Sequence, residues 1–249
     1  MDCRPLCRRA RRQIIASLDI SEESRQWVAG DLILRGVLHR PPEAHDALVL
    51  AHSAGSNCNS PLLQAVARAI AALNVVVLRF DLPFRQIHRL GPPRPGEAAT
   101  DRKGIRAAIE EMRKLVPGRV FAGGHSYGGR QTTMLAAEEP ELVNGLLLLS
   151  YPLHPPRRPQ QMRTEHLPRL RSPALFVHGT RDPFGTPDEI SEALRLIPAP
   201  TTLVLIEGAG HDLGFSGKKQ NEAAVPLVTG SFREFHLNGQ SAQKRPTRS

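Results

Sequence analysis

The chain has 249 residues, 40% hydrophobic and 23% charged, a balance that excludes a disordered polymer, and its 20 Gly and 22 Pro follow no period of three, which excludes a collagen-like rod. Lys and Arg number 33 against 24 Asp and Glu, a formal charge of +9 that invites a nucleic-acid reading until the charges are located. Arg4, Arg8, Arg9, Arg11 and Arg12 against Asp2 give residues 1–12 a net +4, and Lys244, Arg245 and Arg248 give residues 244–249 a net +3, so the body is close to balanced.

In chain order, residues 1–24 read as a basic, flexible tail. Ile14, Ile15 and Leu18 soon meet Asp19, Glu22 and Glu23, so the arginines are not followed by the apolar stretch of a secretory leader. Cys3, Cys7 and Cys58 form neither an even disulfide set nor a zinc-ligand spacing, which points to a reducing, cytoplasmic setting. No run of about 18 apolar residues exists, so no integral membrane association is expected. The tails offer a weak route to nucleic acid or an anionic surface, with no aromatic rings interleaved for stacking on bases.

Residues 25–238 read as one α/β domain. DLILRGVLHRP at 31–41 suggests one or two edge strands, and a strand at 47–51 runs into a Gly/Ser-rich loop. A helix with an early proline follows at 60–73, then a branched, buried strand at 75–80. The Pro/Gly-rich stretch 82–97 is too broken for a long element; a helix resumes at 100–115, and RVFAGG gives the next strand. After it come a helix at 127–138, a strand at 145–151, a Pro/Arg-rich connection at 152–172 and a strand at 173–178. A helix starting at PDEI, a strand at 201–207 and a last helix near 223–237 complete the body, and 239–249 form a basic C-terminal tail. Repeated strand and crossover-helix units favour a mostly parallel central sheet with helices on both faces. The 152–172 connection is short for a helical lid, so a pocket that it borders would be shallow and open.

Gly124-His125-Ser126-Tyr127-Gly128 is a G-x-S-x-G sequence between a predicted strand and a predicted helix. That context makes Ser126 the candidate nucleophile, against the alternative of a glycine-rich turn with a solvated serine. Asp182 follows one strand-like segment and His211 the next, so Ser126, Asp182 and His211 all end strands in the order that a triad on a sheet edge requires. Singly, Asp182 reads equally well as a turn cap or a partner of Arg181, and His211 as a polar loop residue. The Tyr127 and Ala54 amides are the candidate oxyanion donors. His52 is not the candidate base, its reading as a loop hydrogen-bonding residue weighing about evenly against proton transfer, and His125 fits elbow packing or pocket lining better than primary catalysis. Arg79, Asp81, Asp101 and Arg130 gather near the same sheet edge, where they either bind an acidic substrate or form a charged structural network.

On LAHSAGS, LRFDLPF, GGHSYGGR, LFVHGTRDPF and GAGHDL, the chain from about Val28 to Leu237 resembles the dienelactone-hydrolase-like branch of the α/β-hydrolase superfamily, and within it the Tex30/KANL3-like hydrolases. Ser53 stands where that family favours a second Gly in the first loop. The resemblance implies an α/β-hydrolase fold with little or no lid, Ser126 as nucleophile, Asp182 as its acid and His211 as its base. It implies a small acyl or ester substrate and no metal or other cofactor. The alternative is a noncatalytic hydrolase-like protein-interaction subunit.

Overall fold

The computed structural model describes residues 19–215 and 223–243. Cys3, Cys7 and the basic runs at 1–12 and 244–249 lie outside the described residues. The first two strands, β1 (Ser21–Ala29) and β2 (Leu32–Arg40), form an antiparallel hairpin closed by Gly30 and Asp31, with Ser21 opposite Arg40 and Ala29 opposite Leu32. Gly30 has φ +58, the left-handed conformation that lets two residues reverse the chain. The hairpin takes in Ser21–Ser24, assigned to the tail by composition, because their backbone pairs with β2 although their side chains stay largely exposed.

The remaining elements alternate. They are β3 (Asp46–Ala51), α1 (Pro61–Ala71), β4 (Val75–Phe80), a one-turn α2 (Pro83–Ile87), α3 (Ala98–Leu115), β5 (Val120–His125), α4 (Tyr127–Glu138) and β6 (Gly145–Leu149). Then follow β7 (Ala174–Gly179), α5 (Pro187–Leu194), β8 (Thr201–Ile206) and α6 (Ala224–Gln243). The α6 helix continues past residue 238, where the sequence suggested a tail. The eight strands make one sheet in the order β1-β2-β4-β3-β5-β6-β7-β8, parallel from β4 to β8 and antiparallel at the β1–β2 and β2–β4 pairs. Between β6 and β7 the chain holds only a short 3₁₀ turn, Leu167–Arg169, so among the described residues no helical lid stands over the sheet edge.

Why the central strands are continuous apolar runs follows from their two buried faces. Along β3, Ala47 and Val49 join one core and Leu48 and Leu50 the other; along β6, Leu146 and Leu148 oppose Leu147 and Leu149 in the same way. The first core is closed by Ile105, Ala108 and Ile109 of α3 with Leu135 of α4, the second by Leu63, Val66 and Ile70 of α1 with Val228 and Phe232 of α6. Each fully buried leucine contributes roughly 1.5–3 kcal/mol, so the sheet and its two helix layers are interdependent. Helix starts are specified locally. Ser60 accepts from the Leu63 amide with Pro61 at the first turn, and Thr186 and Glu189 form a reciprocal capping box before α5.

One buried carboxylate ties the ends of the fold together. Asp46, at the start of β3, accepts from the Arg119 amide at 2.7 Å, from Arg119 Nη2 at 2.9 Å and from His236 Nε2 on α6 at 2.6 Å. Burial acts to raise its pKa, but the His236 and Arg119 hydrogen bonds outweigh that and hold the carboxyl well below the usual range. Asp46→Asn leaves the Arg119 charge without its carboxylate and is expected to destabilise the protein by about 3 kcal/mol at pH 7. Because a depressed carboxylate stabilises above its unfolded pKa and loses that contribution as pH falls, the difference between native and variant should shrink below about pH 4. Urea unfolding of both proteins at pH 7 and pH 3.5 checks this, and an equal gap at the two pH values contradicts it.

Candidate active site

The β5 strand runs into α4 without a connecting loop, and the corner residue is Ser126. Its φ of 53 and ψ of −117 lie outside the regions that a serine prefers. The amide of Ser126 donates to the Leu149 carbonyl at 2.9 Å and its carbonyl accepts from the Arg130 amide at 2.9 Å, so strand and helix bonds hold the corner from both sides. Close approach explains the glycines. A Cβ on Gly124, itself at φ +150, would meet the Ala51 carbonyl oxygen at 2.1 Å, and one on Gly128 would meet the His52 carbonyl oxygen at 2.5 Å.

Two further loops leave the same sheet edge after β7 and β8. They are stitched together by the Arg181 amide on the Ala209 carbonyl at 2.9 Å, the Thr180 amide on the Ile206 carbonyl at 3.1 Å and the Gly208 amide on Thr180 Oγ1 at 2.8 Å. This brings His211 against both sequence-predicted partners. Its Nδ1 lies 2.8 Å from Asp182 Oδ2 and 3.0 Å from Oδ1, and its Nε2 lies 2.7 Å from Ser126 Oγ. A buried carboxylate facing Nδ1 selects the tautomer that carries its proton there, which leaves the Nε2 lone pair to accept the Ser126 hydroxyl proton. The imidazole is fixed by two more residues. Phe184 stacks on it with ring centroids 4.0 Å apart and donates its own amide to Asp182 Oδ1 at 2.8 Å. His125 Nε2 donates to the His211 carbonyl at 2.7 Å, which is the elbow packing expected of it.

Ala54 and Tyr127 line the same cleft as Ser126 and His211, and neither amide has a hydrogen-bond acceptor among the described residues. The Tyr127 amide opens α4, where the helix dipole favours negative charge. Tyr127 is held from behind by Asp101, whose Oδ2 accepts its hydroxyl at 2.6 Å and whose Oδ1 accepts the Phe84 amide at 3.0 Å. The Ala54 loop is pinned by its carbonyls. Arg85 donates to Ala54 O at 2.8 Å and Ser56 O at 2.7 Å, and His52 Nδ1 donates to Ser53 O at 2.8 Å while its Nε2 accepts from the Leu82 amide at 3.0 Å. With both ring nitrogens so engaged, His52 has no nitrogen left for proton transfer, as expected.

The cleft encloses about 440 Å³ and is completed by Ser53, Gly55, Arg130, Pro152, Arg163 and Phe184. Of the charged residues near this edge, Arg130 enters the cleft and the other three serve the scaffold. Arg79 turns to His39, Cys58 O and Asn59, Asp81 accepts the Cys58 amide at 2.8 Å, and Asp101 supports Tyr127. Sequence reasoning passed over Phe184, Arg85 and Arg163. The PF after Asp182 and the LPFR after β4 were visible as motifs, but which face each side chain takes depends on packing.

A family model described as an alpha/beta hydrolase domain matches residues 44–229. Solved structures of the same fold include dienelactone hydrolase from Anabaena variabilis, with TM-score 0.69 and 21% identity over 88% of this chain and 98% of that one. Est1E from Butyrivibrio proteoclasticus has TM-score 0.67 and 18% identity over 88% and 99%. An α/β serine hydrolase without a lid from Xanthomonas campestris has TM-score 0.66 and 18% identity over 86% and 95%. These likenesses agree with the dienelactone-hydrolase-like fold read from the motifs and do not extend to the Tex30/KANL3-like branch.

The two histidines that brace the site are buried and neutral. Burial lowers the pKa of His52 to about 4, and burial followed by the nearby His211 lowers that of His125 to about 4. An unfolded histidine titrates near 6.5, so the unfolded chain binds more protons between the two values and stability falls as pH drops from about 6.5 towards 4. Each is expected to contribute a loss of about 1.4 kcal/mol per pH unit in that window. His125→Gln, which keeps a donor for the His211 carbonyl but does not titrate, should flatten the dependence. Urea melts between pH 7 and pH 5 check this, and an unchanged slope contradicts it.

Proposed function

Since the chain belongs to the alpha/beta hydrolase domain family, we propose that it is a serine hydrolase that cleaves a small ester-like substrate through an acyl-enzyme. The observation that carries this reading is the continuous chain of short contacts from Asp182 through His211 to Ser126 Oγ, at 2.8 and 2.7 Å, opening on the 440 Å³ cleft. As Ser126 Oγ attacks the substrate carbonyl, His211 Nε2 takes its proton and Asp182 stabilises the imidazolium that forms. The carbonyl oxygen gains negative charge and is received by the Tyr127 and Ala54 amides, whose loops are already fixed and need no reorganisation. Collapse of the tetrahedral species transfers the His211 proton to the leaving alcohol. Water then attacks the acyl carbonyl as His211 takes its proton, and collapse of the second tetrahedral species returns that proton to Ser126 Oγ and frees the acid.

Labelling by a fluorophosphonate probe is expected for the native protein and lost in Ser126→Ala, with the modified peptide containing Ser126. Equal labelling of the two proteins overturns the assignment and favours a noncatalytic interaction subunit. Asp182→Asn keeps the shape of the acid while removing the charge that selects the His211 tautomer, and it should lower kcat for p-nitrophenyl butyrate by about 10⁴-fold. A loss under tenfold in that assay contradicts the role given to Asp182.

A further inference from the structure

Two arginines enter the cleft that holds Ser126. Arg130 sits one turn into α4, its amide on the Ser126 carbonyl at 2.9 Å, and Arg163 comes from the β6–β7 connection, its amide on the Leu153 carbonyl at 2.8 Å. Both are half-buried. Arg163 spends one donor on the Pro152 carbonyl at 3.2 Å, whereas Arg130 Nε is buried with no hydrogen-bond partner. Neither guanidinium has an ion-pair partner among the described residues.

Glu165, whose charge acts on both His166 and Tyr151, is exposed and forms no ion pair with either guanidinium, and the buried groups around the pair do not supply the missing negative charge. His166, whose Nε2 meets Thr133 Oγ1 at 2.8 Å, is lowered to about 4 by burial and then by Arg130, so it stays neutral. Burial pushes Tyr151 up to about 12, and its hydroxyl is donated to the Arg163 carbonyl at 2.9 Å. Asp182 is committed to His211 and the Phe184 amide. Burial, and next to it Arg130, also lowers the Arg163 pKa from its ordinary value, the sign of two like charges held close. Two guanidiniums that line one cleft and keep donors unused by the protein offer forks of the kind that carboxylates and phosphates accept in bidentate fashion.

We propose that Arg130 and Arg163 form an anion subsite beside the nucleophile, so that the substrate is an ester bearing a carboxylate or phosphate a few bonds from the scissile carbonyl. This rests on the serine-hydrolase reading for its chemistry but not for its binding. The anion docks on the arginine pair, bridging charges that otherwise repel, and sets the ester carbonyl over Ser126. Specificity follows from the same pair. A neutral ester of equal size leaves both guanidiniums without a counter-charge in a partly desolvated cleft, a cost that the anionic ester removes.

Binding is measured apart from turnover by titrating Ser126→Ala protein calorimetrically with monomethyl glutarate, acetylglycerol 3-phosphate and neutral dimethyl glutarate. At least one anion should bind tenfold or more tightly than the neutral diester, and which anion is tighter identifies the group recognised. Adding Arg130→Gln or Arg163→Gln should reduce that preference by roughly tenfold, with Arg163→Lys retaining part of it. Equal affinity for charged and neutral esters, or no binding of either anion, overturns the subsite without depending on the folding of any arginine variant. If the anion preference is present while native protein hydrolyses none of the three esters, the subsite stands and the hydrolase reading fails. If native protein hydrolyses neutral and anionic esters with the same kcat/KM, the subsite fails and the hydrolase reading stands.

Discussion

Everything at the carboxyl edge of the sheet depends on the left-handed corner at Ser126. A serine at φ 53 is unfavourable alone by a kcal/mol or more, and it persists because β5 is locked between β3 and β6 while α4 is already bonded to the corner carbonyl. The absence of side chains at Gly124 and Gly128 lets the β3 backbone come within contact of the elbow. That close approach also sets the Ala54 loop beside the Tyr127 amide, since the loop and the elbow issue from the adjacent strands β3 and β5. One backbone constraint thus aims the hydroxyl and assembles the surroundings in which a developing oxyanion would sit.

Around this corner the protein separates neutral from charged groups. His52 and His125 are buried and neutral, His52 bonded through both ring nitrogens and His125 through Nε2 to the His211 carbonyl, which leaves His211 as the histidine at the cleft with a carboxylate behind it. Asp182 has no exposed side-chain surface and is encircled by the Phe184 amide and the His211 ring, so its charge acts through the imidazole. Positive charge enters the cleft through Arg130 and Arg163, neither of them ion-paired to a carboxylate among the described residues. The third arginine near the site, Arg85, faces backbone carbonyls of the Ala54 loop and serves as a clamp.

Much of this was legible in the residues because it is local or periodic. Continuous apolar runs such as LVL at 48–50 and LLLL at 146–149 announce strands buried on both faces, and G-x-S-x-G between strand and helix announces the elbow. Ser126, Asp182 and His211 each followed a strand, so the parallel order alone predicted that they would share an edge. Residues whose role comes from side-chain direction were not legible. Arg79 and Arg130 both sit at element boundaries, yet Arg79 points to the β2 side of the sheet and Arg130 into the cleft. Ser21–Ser24 carry too much charge to read as a strand, and only their pairing with β2 makes them one. Phe184 and Arg163 lie in irregular segments where no periodicity signals a facing partner.

The covalent intermediate is the most direct test of acyl transfer through Ser126. Native protein is mixed with excess p-nitrophenyl butyrate, quenched in acid during turnover and digested for peptide mass spectrometry. A butyryl group on the Ser126 side chain, lost when His211 is replaced by Gln, is the predicted result. Butyrylation of another residue with Ser126 unmodified, or turnover that survives in Ser126→Ala, contradicts it.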